Sequence, residues 1–305
     1  MKVILGMSGG TDSSLSAYLL KQKGFKVIGV SLKVCDNFND EYAISVAKQL
    51  NIEHHIIDIR EEFNNEVLKR SWEYFSNNRT PNPCCICNKY IKFPTLLKCA
   101  EELSADYVAT GHYAVIKNNS IYRGADQNKD QSYFISGLND LGKIMFPLGD
   151  KIKSDVKELA KNLNLSCDKK ESQNLCFVKN GEPVGDILFK KFGGRDNSGN
   201  AVYKDGRILE KHRGKHNFTI GQRKYGKYII GFQNNDVVID DVPIGFNGME
   251  VEELNCELPE KFLIQIRYRQ TPFWGNLKNY IKFDEKQNSI TSGQIAVFYD
   301  GDRVI

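Results

Sequence analysis

The sequence predicts an α/β protein, a doubly wound parallel sheet followed by two small β domains. Three observations predict it. A turn rich in glycine and serine, Ser8-Gly9-Gly10-Thr11-Asp12-Ser13-Ser14, joins an apolar run at residues 3–7 to a helical stripe at Leu15, Ala17, Tyr18, Leu19 and Leu20. Strand-like and helix-like segments then alternate through the first half of the chain. From about Gly193 onward, short alternating runs separated by Gly, Asn and Asp replace that rhythm.

Each element follows from its pattern. Residues 27–32 (VIGVSL) read as a second strand, 41–50 as a helix, 54–59 as a third strand and 62–75 as a longer helix. Residues 92–103 read as another helix, and 107–110 as a strand ending in Gly111-His112. A further helix covers 153–163. In parallel sheets ligands sit at the carboxyl ends of the strands, so Ser8-Gly9-Gly10 and Gly111-His112-Tyr113 are expected to share one pocket. The β part shows runs at 229–232, 236–240, 262–267, 280–283 and 295–299. The expected domains are residues 1–182, a nucleotide-binding domain; 183–243, a small β-rich domain; and 244–305, a β-barrel-like domain.

Composition narrows the function classes. The 305 residues suffice for two or three domains. No apolar stretch reaches membrane-spanning length, and residues 1–20 lack the features of a signal peptide, so a cytoplasmic protein with no membrane partner is expected. A net charge of +4 argues only weakly for a polyanionic partner. Eight cysteines in such a chain read as thiols, metal ligands or catalysts.

The turn at Ser8 is built as a seat for phosphate. Its backbone N–H groups face outward at the positive end of a helix dipole, glycines allow close approach, and serines add hydroxyl donors. It lacks the Lys-Ser/Thr pair of a Walker A loop, and its adjacent glycines do not fit the dinucleotide fingerprint. The plainer reading, a serine N-cap, needs one serine and not the whole string.

Residues 79–89 (RTPNPCCICNK) form the second informative stretch. Two prolines stiffen a loop that delivers cysteines just before a helix, where the dipole, Lys89 and Lys92 are expected to lower thiol pKa values. Cys176 lies far along the chain in a polar segment. Three readings stand side by side: incidental thiols, a zinc site using the Cys84-x-x-Cys87 spacing, and covalent sulfur chemistry on two cysteines. Cys35, Cys99, Cys167 and Cys256 lie outside any cysteine cluster in the sequence and are assigned no role.

Ser-Gly-Gly-x-Asp-Ser resembles the PP-loop of the ATP pyrophosphatases, which split ATP between the α and β phosphates. Further strings follow in order: Thr80-Pro81-Asn82-Pro83 with Cys87-Asn88-Lys89; Thr110-Gly111-His112-Tyr113; Lys129-Asp130-Gln131-Ser132-Tyr133-Phe134; Glu171-Ser172 with Cys176-Phe177; Thr219-Ile220-Gly221-Gln222-Arg223; Arg267-Tyr268-Arg269; and Ser292-Gly293-Gln294 with Ala296-Val297-Phe298-Tyr299. Together, over nearly the whole chain, they resemble the tRNA-specific 2-thiouridylases.

The resemblance implies an adenine nucleotide α-hydrolase-like PP-loop domain and a defined reaction. ATP with Mg²⁺ adenylates the C2 oxygen of the wobble uridine (uridine 34) of certain tRNAs, and sulfur replaces it. Cys176 would carry the sulfur as a persulfide received from a sulfur-carrier or cysteine desulfurase protein. Cys87 would act as nucleophile in the transfer, and a Cys87–Cys176 disulfide would remain to be reduced. The ATP positions map onto Gly6, Met7, Ser8, Gly9, Gly10, Thr11, Asp12, Ser13, Leu32 and Gly111. Asp12 would lie near the Mg²⁺-bound phosphates. The tRNA positions map onto Lys129, Asp130, Gln131, Arg267 and Tyr268, with His112 and Gln294 as further contacts. Asn82, Pro83 and Cys84 would lie near the target base. The residues themselves add two points. Arg267, Tyr268 and Arg269 set two cations and an aromatic on one β segment, and His212, Lys215, His216, Arg223, Lys224 and Lys227 form a basic cluster suited to a tRNA footprint.

The chain departs from the family pattern at Cys84, where many members have aspartate. Cys84, Cys87 and Cys176 together supply three thiolates, the number that holds a [4Fe–4S] cluster with one open iron, as in related PP-loop thiolases. The segment after the second strand is short, the central module is reduced, and Leu32 stands where methionine is common. Two other functions use parts of the same pattern. A PP-loop ligase or amidotransferase acting on a small molecule needs neither cysteine. A metal-bound RNA-binding module needs no ATP cleavage.

Overall fold

Every second residue of the first strand faces a different set of helices, and this alternation organises the first half of the molecule. In a computed structural model, which describes residues 1–36, 38–165, 175–178, 181–288 and 290–305, β1 (Lys2–Gly6) is buried at Val3, Ile4 and Leu5. Val3 and Leu5 pack with Leu15, Ala17 and Leu20 of α1 (Thr11–Gln22) and with Ala43 and Val46 of α2 (Glu41–Gln49). Ile4 packs on the other face with Phe93, Leu96 and Ala100 of the helix Phe93–Glu102. A strand buried on both faces reads as a continuous apolar run, as residues 3–5 do.

β2 (Lys26–Lys33), β3 (Glu53–Asp58), β4 (Tyr107–Ala109), the hairpin β5 (Ala114–Lys117) and β6 (Ser120–Arg123), and β7 (Ile144–Met145) follow. The main sheet has the order β3-β2-β1-β4-β7, and every pairing in it is parallel. The doubly wound parallel sheet expected from the sequence is therefore present. The helix expected over residues 62–75 forms as Arg60–Phe63 and Arg70–Ser76 around a π-helical stretch, Asn64–Lys69.

The described chain divides into two compact units. The first holds residues 1–67, 84–177 and 302–304. The second holds residues 68–83, 178–301 and 305.

The second unit is mainly β. β8 (Gly199–Tyr203), β9 (Ile208–His212), β10 (Arg223–Lys224), β11 (Lys227–Gln233) and β12 (Asp236–Asp240) make a five-stranded sheet in the order β10-β11-β12-β8-β9. Its core is Ala201, Phe218, Ile229, Val237 and Ile239. Next come β13 (Gly245–Met249), β14 (Lys261–Gln265), β15 (Phe273–Leu277), β16 (Ile281–Asn288) and β17 (Val297–Asp300), paired antiparallel as β13-β16-β15-β14-β17. Phe262, Ile264, Ile281, Phe283 and Phe298 fill their core. The last strand, β18 (Arg303–Val304), pairs with β6 in the first unit.

Candidate active site

The Ser8 turn folds as a strand-to-helix loop because its glycines permit it. Gly9 has φ +72°, and a Cβ there would lie 2.7 Å from Ala43 N. Side chains finish the cradle: Ser13 and Ser14 each donate to Gly10 O at 3.0 Å, and Ser8 N donates to Ser13 Oγ at 3.3 Å. Met7 is held by β2, with its N–H on Val30 O and its carbonyl accepting from Ser31 Oγ. Gly6 ends β1 and Leu32 lies near the end of β2, half-buried. Gly111, at the end of β4, passes so close to the loop that a Cβ would meet the Asp12 carbonyl carbon at 3.1 Å and Ser13 N at 3.2 Å. The two strand ends therefore share one edge of the sheet.

Asp12 is the carboxylate of the loop, and it has partners that the sequence did not suggest. Lys153 Nζ donates to both of its oxygens, at 2.6 and 2.7 Å, and Tyr113 Oη donates to Oδ1 at 2.8 Å. Lys153 lies at the start of the helix Lys153–Asn162, and its side chain is only 8 % exposed. A cation at a helix N-terminus opposes the dipole, and that is the signal in the sequence that marks it. One carboxylate with serine hydroxyls suits Mg²⁺, which takes one or two carboxylates beside substrate phosphates.

The cysteine loop enters a helical run that begins with Pro83–Cys87, continues as the π-helical stretch Asn88–Lys92 and goes on as Phe93–Glu102. Such stretches are frequent at functional sites. Asn88, 2 % exposed, donates to Phe134 O at 2.9 Å and accepts from Lys92 Nζ at 2.8 Å. Lys92 is the shared cation of the site, because its charge acts on Cys84, Cys87, Cys176 and His112.

The expected lowering of thiol pKa values is not what the fold produces. Burial pushes the Cys84 and Cys87 thiols up, and the opposing pull of Lys92 is the smaller effect. Lys89 has no part in either shift. Cys176 keeps an exposed face, yet its thiol is pushed up to about 12, first by crowding among protein atoms and then by the charges of Cys87 and Cys84. Cys35 also acts on Cys176, so a residue set aside in the sequence belongs to the thiol group. Cys85 is buried, with its Sγ 3.7 Å from Tyr133 O. Cys99 is buried in the first unit and Cys256 borders the core of the second. Cys167, Glu171 and Ser172 lie outside the described residues.

Among the described residues, no three His, Cys, Asp or Glu side chains converge to hold a metal ion. Cys84, Cys87 and Cys176 feel one another electrostatically.

His112 links the two halves of this site. Its backbone follows Gly111, which touches the phosphate loop, and its ring lies between Phe93 and Phe146 at 5.8 Å from each. Nδ1 is 2.6 Å from Thr110 Oγ1. Burial, followed by the Lys92 charge, holds the imidazole well below its ordinary pKa, so it is neutral at pH 7.

The remaining sequence candidates fall into two groups. In the first unit, Asp130 is buried; its carboxylate accepts from Gly124 N, Ser132 N and Ser132 Oγ. Gln131 clamps Tyr113 by accepting from its N–H at 3.0 Å and donating to its carbonyl at 2.8 Å. The half-buried Lys129 turns back on Asp126 through its N–H. In the second unit, two of the singled-out strings, Thr219 to Gln222 and Ser292 to Gln294, converge on Thr80. Its hydroxyl lies 2.8 Å from Thr219 Oγ1 and accepts from Gln222 Nε2 at 2.7 Å. Its carbonyl accepts from Gln294 Nε2 at 2.8 Å, and its N–H donates to Ser292 O. Arg267 donates to Thr291 Oγ1 and reaches Gly221 O. Arg269 is exposed and stands over the Tyr268 ring, 5.2 Å from its centroid. In the chain, Asn82 and Pro83 stand between Thr80 and Cys84.

A phosphate loop at the edge of a doubly wound sheet, with a group of cysteines that share the Lys92 charge with His112, defines a PP-loop nucleotide-binding protein of the thiolating kind. The family described as "tRNA methyl transferase HUP domain" matches residues 1–180, and an "Aminomethyltransferase beta-barrel domain" matches residues 249–305. The chain is 38 % identical to the tRNA-specific 2-thiouridylase MnmA of Carboxydothermus hydrogenoformans, an alignment covering 100 % of this chain and 96 % of that protein. It is equally, 38 %, identical to a tRNA-specific 2-thiouridylase of Fusobacterium nucleatum over 99 % of this chain and 91 % of that protein. The corresponding protein of Synechocystis is 36 % identical over 100 % and 95 %. The chain belongs to the tRNA-specific 2-thiouridylase family.

Among the described residues, no helix is long and apolar enough to cross a membrane.

Proposed function

We infer that this protein is a cytoplasmic tRNA-uridine 2-sulfurtransferase, converting the C2 carbonyl of the wobble uridine to a thiocarbonyl with ATP. One observation carries the reading: Gly111 touches the phosphate loop while its neighbour His112 shares Lys92 with the cysteines. Nucleotide activation and thiol chemistry need that adjacency.

The C2 oxygen is a poor leaving group until AMP is placed on it. The loop residues Ser8 to Ser13 hold the β,γ-pyrophosphate, and Mg²⁺, when bound, neutralises phosphate charge beside Asp12. Asp12 would hold that Mg²⁺, and the Lys153 ammonium, already bonded to the Asp12 carboxylate, would offer its charge to the phosphates. Cys176, with its exposed face, receives sulfur as a persulfide from a sulfur-carrier or cysteine desulfurase protein. Cys87 is the nucleophile of the transfer, and its S–S bond to Cys176 is the by-product. Because both thiols are protonated at rest, each loses its proton to solvent or substrate as it reacts. A neutral His112 contacts the tRNA as a hydrogen-bonding and stacking group, without a charge. The exposed Arg223 and Arg269, with the half-buried Lys215, supply phosphate contacts, whereas His212 and His216 of the basic cluster are buried and take no part.

The test is pyrophosphate release with and without bulk tRNA, combined with nucleoside mass spectrometry for 2-thiouridine. Release that depends on tRNA, with thiolation lost in Cys87→Ser and Cys176→Ser, is the expected result. Full activity in both serine variants would point to a small-molecule ligase, and tRNA binding without pyrophosphate release to a binding module. Iron in anaerobically purified protein, with a visible absorption band, would replace the persulfide route by a cluster.

A further inference from the structure

Cys35 is a cysteine that the reading above does not use, and its charge acts on Cys176. It lies two residues past β2, on the edge of the sheet where the phosphate loop sits. β2 pairs with β3 as far as Lys33 opposite Asp58. Arg60 then binds both Asp58 and Asp36, tying the residue after Cys35 to the start of the helix that follows β3. One turn further on, the buried Phe63 meets Phe177 edge to face at 5.9 Å. Cys35 and Cys176 are therefore each one residue from a partner of the same short helix, Arg60–Phe63. Both are free thiols, Cys35 half-buried and Cys176 exposed, and the charge of Cys35 is among those acting on Cys176. Cys87 and Cys84, which also act on Cys176, come from the helical run that begins at Pro83.

We propose that Cys35 is a resolving thiol for Cys176. The role rests on the persulfide reading above, which leaves a Cys87–Cys176 disulfide after each turnover. The Cys35 thiolate, its proton released to solvent, attacks Cys176 Sγ. A Cys35–Cys176 bond forms as the Cys87–Cys176 bond breaks, and Cys87 leaves as a thiolate that takes up a proton. The exchange has no net oxidation. The new disulfide, at the exposed cysteine, is reduced by an external dithiol, whose two thiols become a disulfide as both cysteine thiols are regained. Cys87 is thus free for the next substrate before any reductant has acted.

The full-length protein is reduced, oxidised with diamide, and mapped by non-reducing peptide mass spectrometry. A Cys35–Cys176 disulfide is expected in the wild type and as the main product in Cys87→Ser; its absence from Cys87→Ser overturns the proposal. In Cys35→Ser, and in Cys35→Ala as a check on folding, single-turnover thiolation is expected to survive. Multiple-turnover thiolation with limiting dithiothreitol should fall at least threefold. An unchanged multiple-turnover rate, or loss of the first turnover in both variants, overturns it. Should the wild type make no 2-thiouridine at all, the thiolation reading fails. The disulfide map of Cys87→Ser still decides separately whether Cys35 reaches Cys176.

Discussion

Lys153 donates to both carboxylate oxygens of Asp12, at 2.6 and 2.7 Å, although 141 residues separate them. The lysine is almost fully buried and the aspartate about two-thirds buried, at 33 % exposure. The pair sits where a divalent cation and phosphates are expected to bind, so the fold already holds a positive charge against the loop carboxylate.

Asp12→Ala leaves that ammonium buried without its charged partner. The variant should lose about 1.5–3 kcal/mol of stability, the size of a charged hydrogen bond, with the exposure of Asp12 favouring the lower end. Asp12→Ala with Lys153→Met should recover part of that loss, because no orphaned charge remains. Urea unfolding of the three proteins checks this. Pyrophosphate release should fall at least a hundredfold in Asp12→Ala, and unchanged release would show that the loop does not serve ATP.

The Cys176 thiol, pushed up to about 12, gives a pH signature. Alkylation by iodoacetamide at this position should keep accelerating well above pH 9, where an ordinary thiol levels off. The stability consequence has a definite sign. An unfolded thiol gives up its proton near 9 while the folded one keeps it, so the contribution is full below pH 9 and is lost as pH rises toward about 12. Cys176→Ser should flatten the stability profile over that window. A rate plateau near pH 9 in the wild type would contradict the crowding around this sulfur.

His112 behaves in the opposite sense. Its folded pKa lies well below 6.5, so acid protonates the unfolded chain first and stability falls as pH drops below 6.5. His112→Gln should lessen that slope. A proton titration of the imidazole by NMR near or above 6.5 would contradict the neutral assignment.

Thr80 is the knot of the second unit. Thr80→Val removes the hydroxyl that Gln222 donates to and that faces Thr219, two groups left short of a partner. A loss of about 1–3 kcal/mol is expected, together with weaker tRNA binding. ATP binding should be little changed, because the phosphate loop belongs to the other unit. Equal loss of ATP affinity would show that the knot supports the nucleotide site as well.

Much of this protein is legible in its sequence. The apolar run at residues 3–5, the glycine pair at Gly9-Gly10 and the strand-helix alternation determined a doubly wound sheet with a phosphate loop, because local periodicity and backbone conformation are properties of neighbouring residues. The strings Thr80-Pro81, Thr219 to Gln222 and Ser292 to Gln294 stood out individually. Only the tertiary structure decided that they interlock, because their hydrogen bonds join residues more than 130 positions apart. The same holds for Lys153 on Asp12 and for the charge of Cys35 acting on Cys176. It holds also for the direction of the thiol shifts. Helix position and nearby lysines are visible in sequence and favour thiolate, whereas the burial that outweighs them exists only once the chain has closed around the sulfurs.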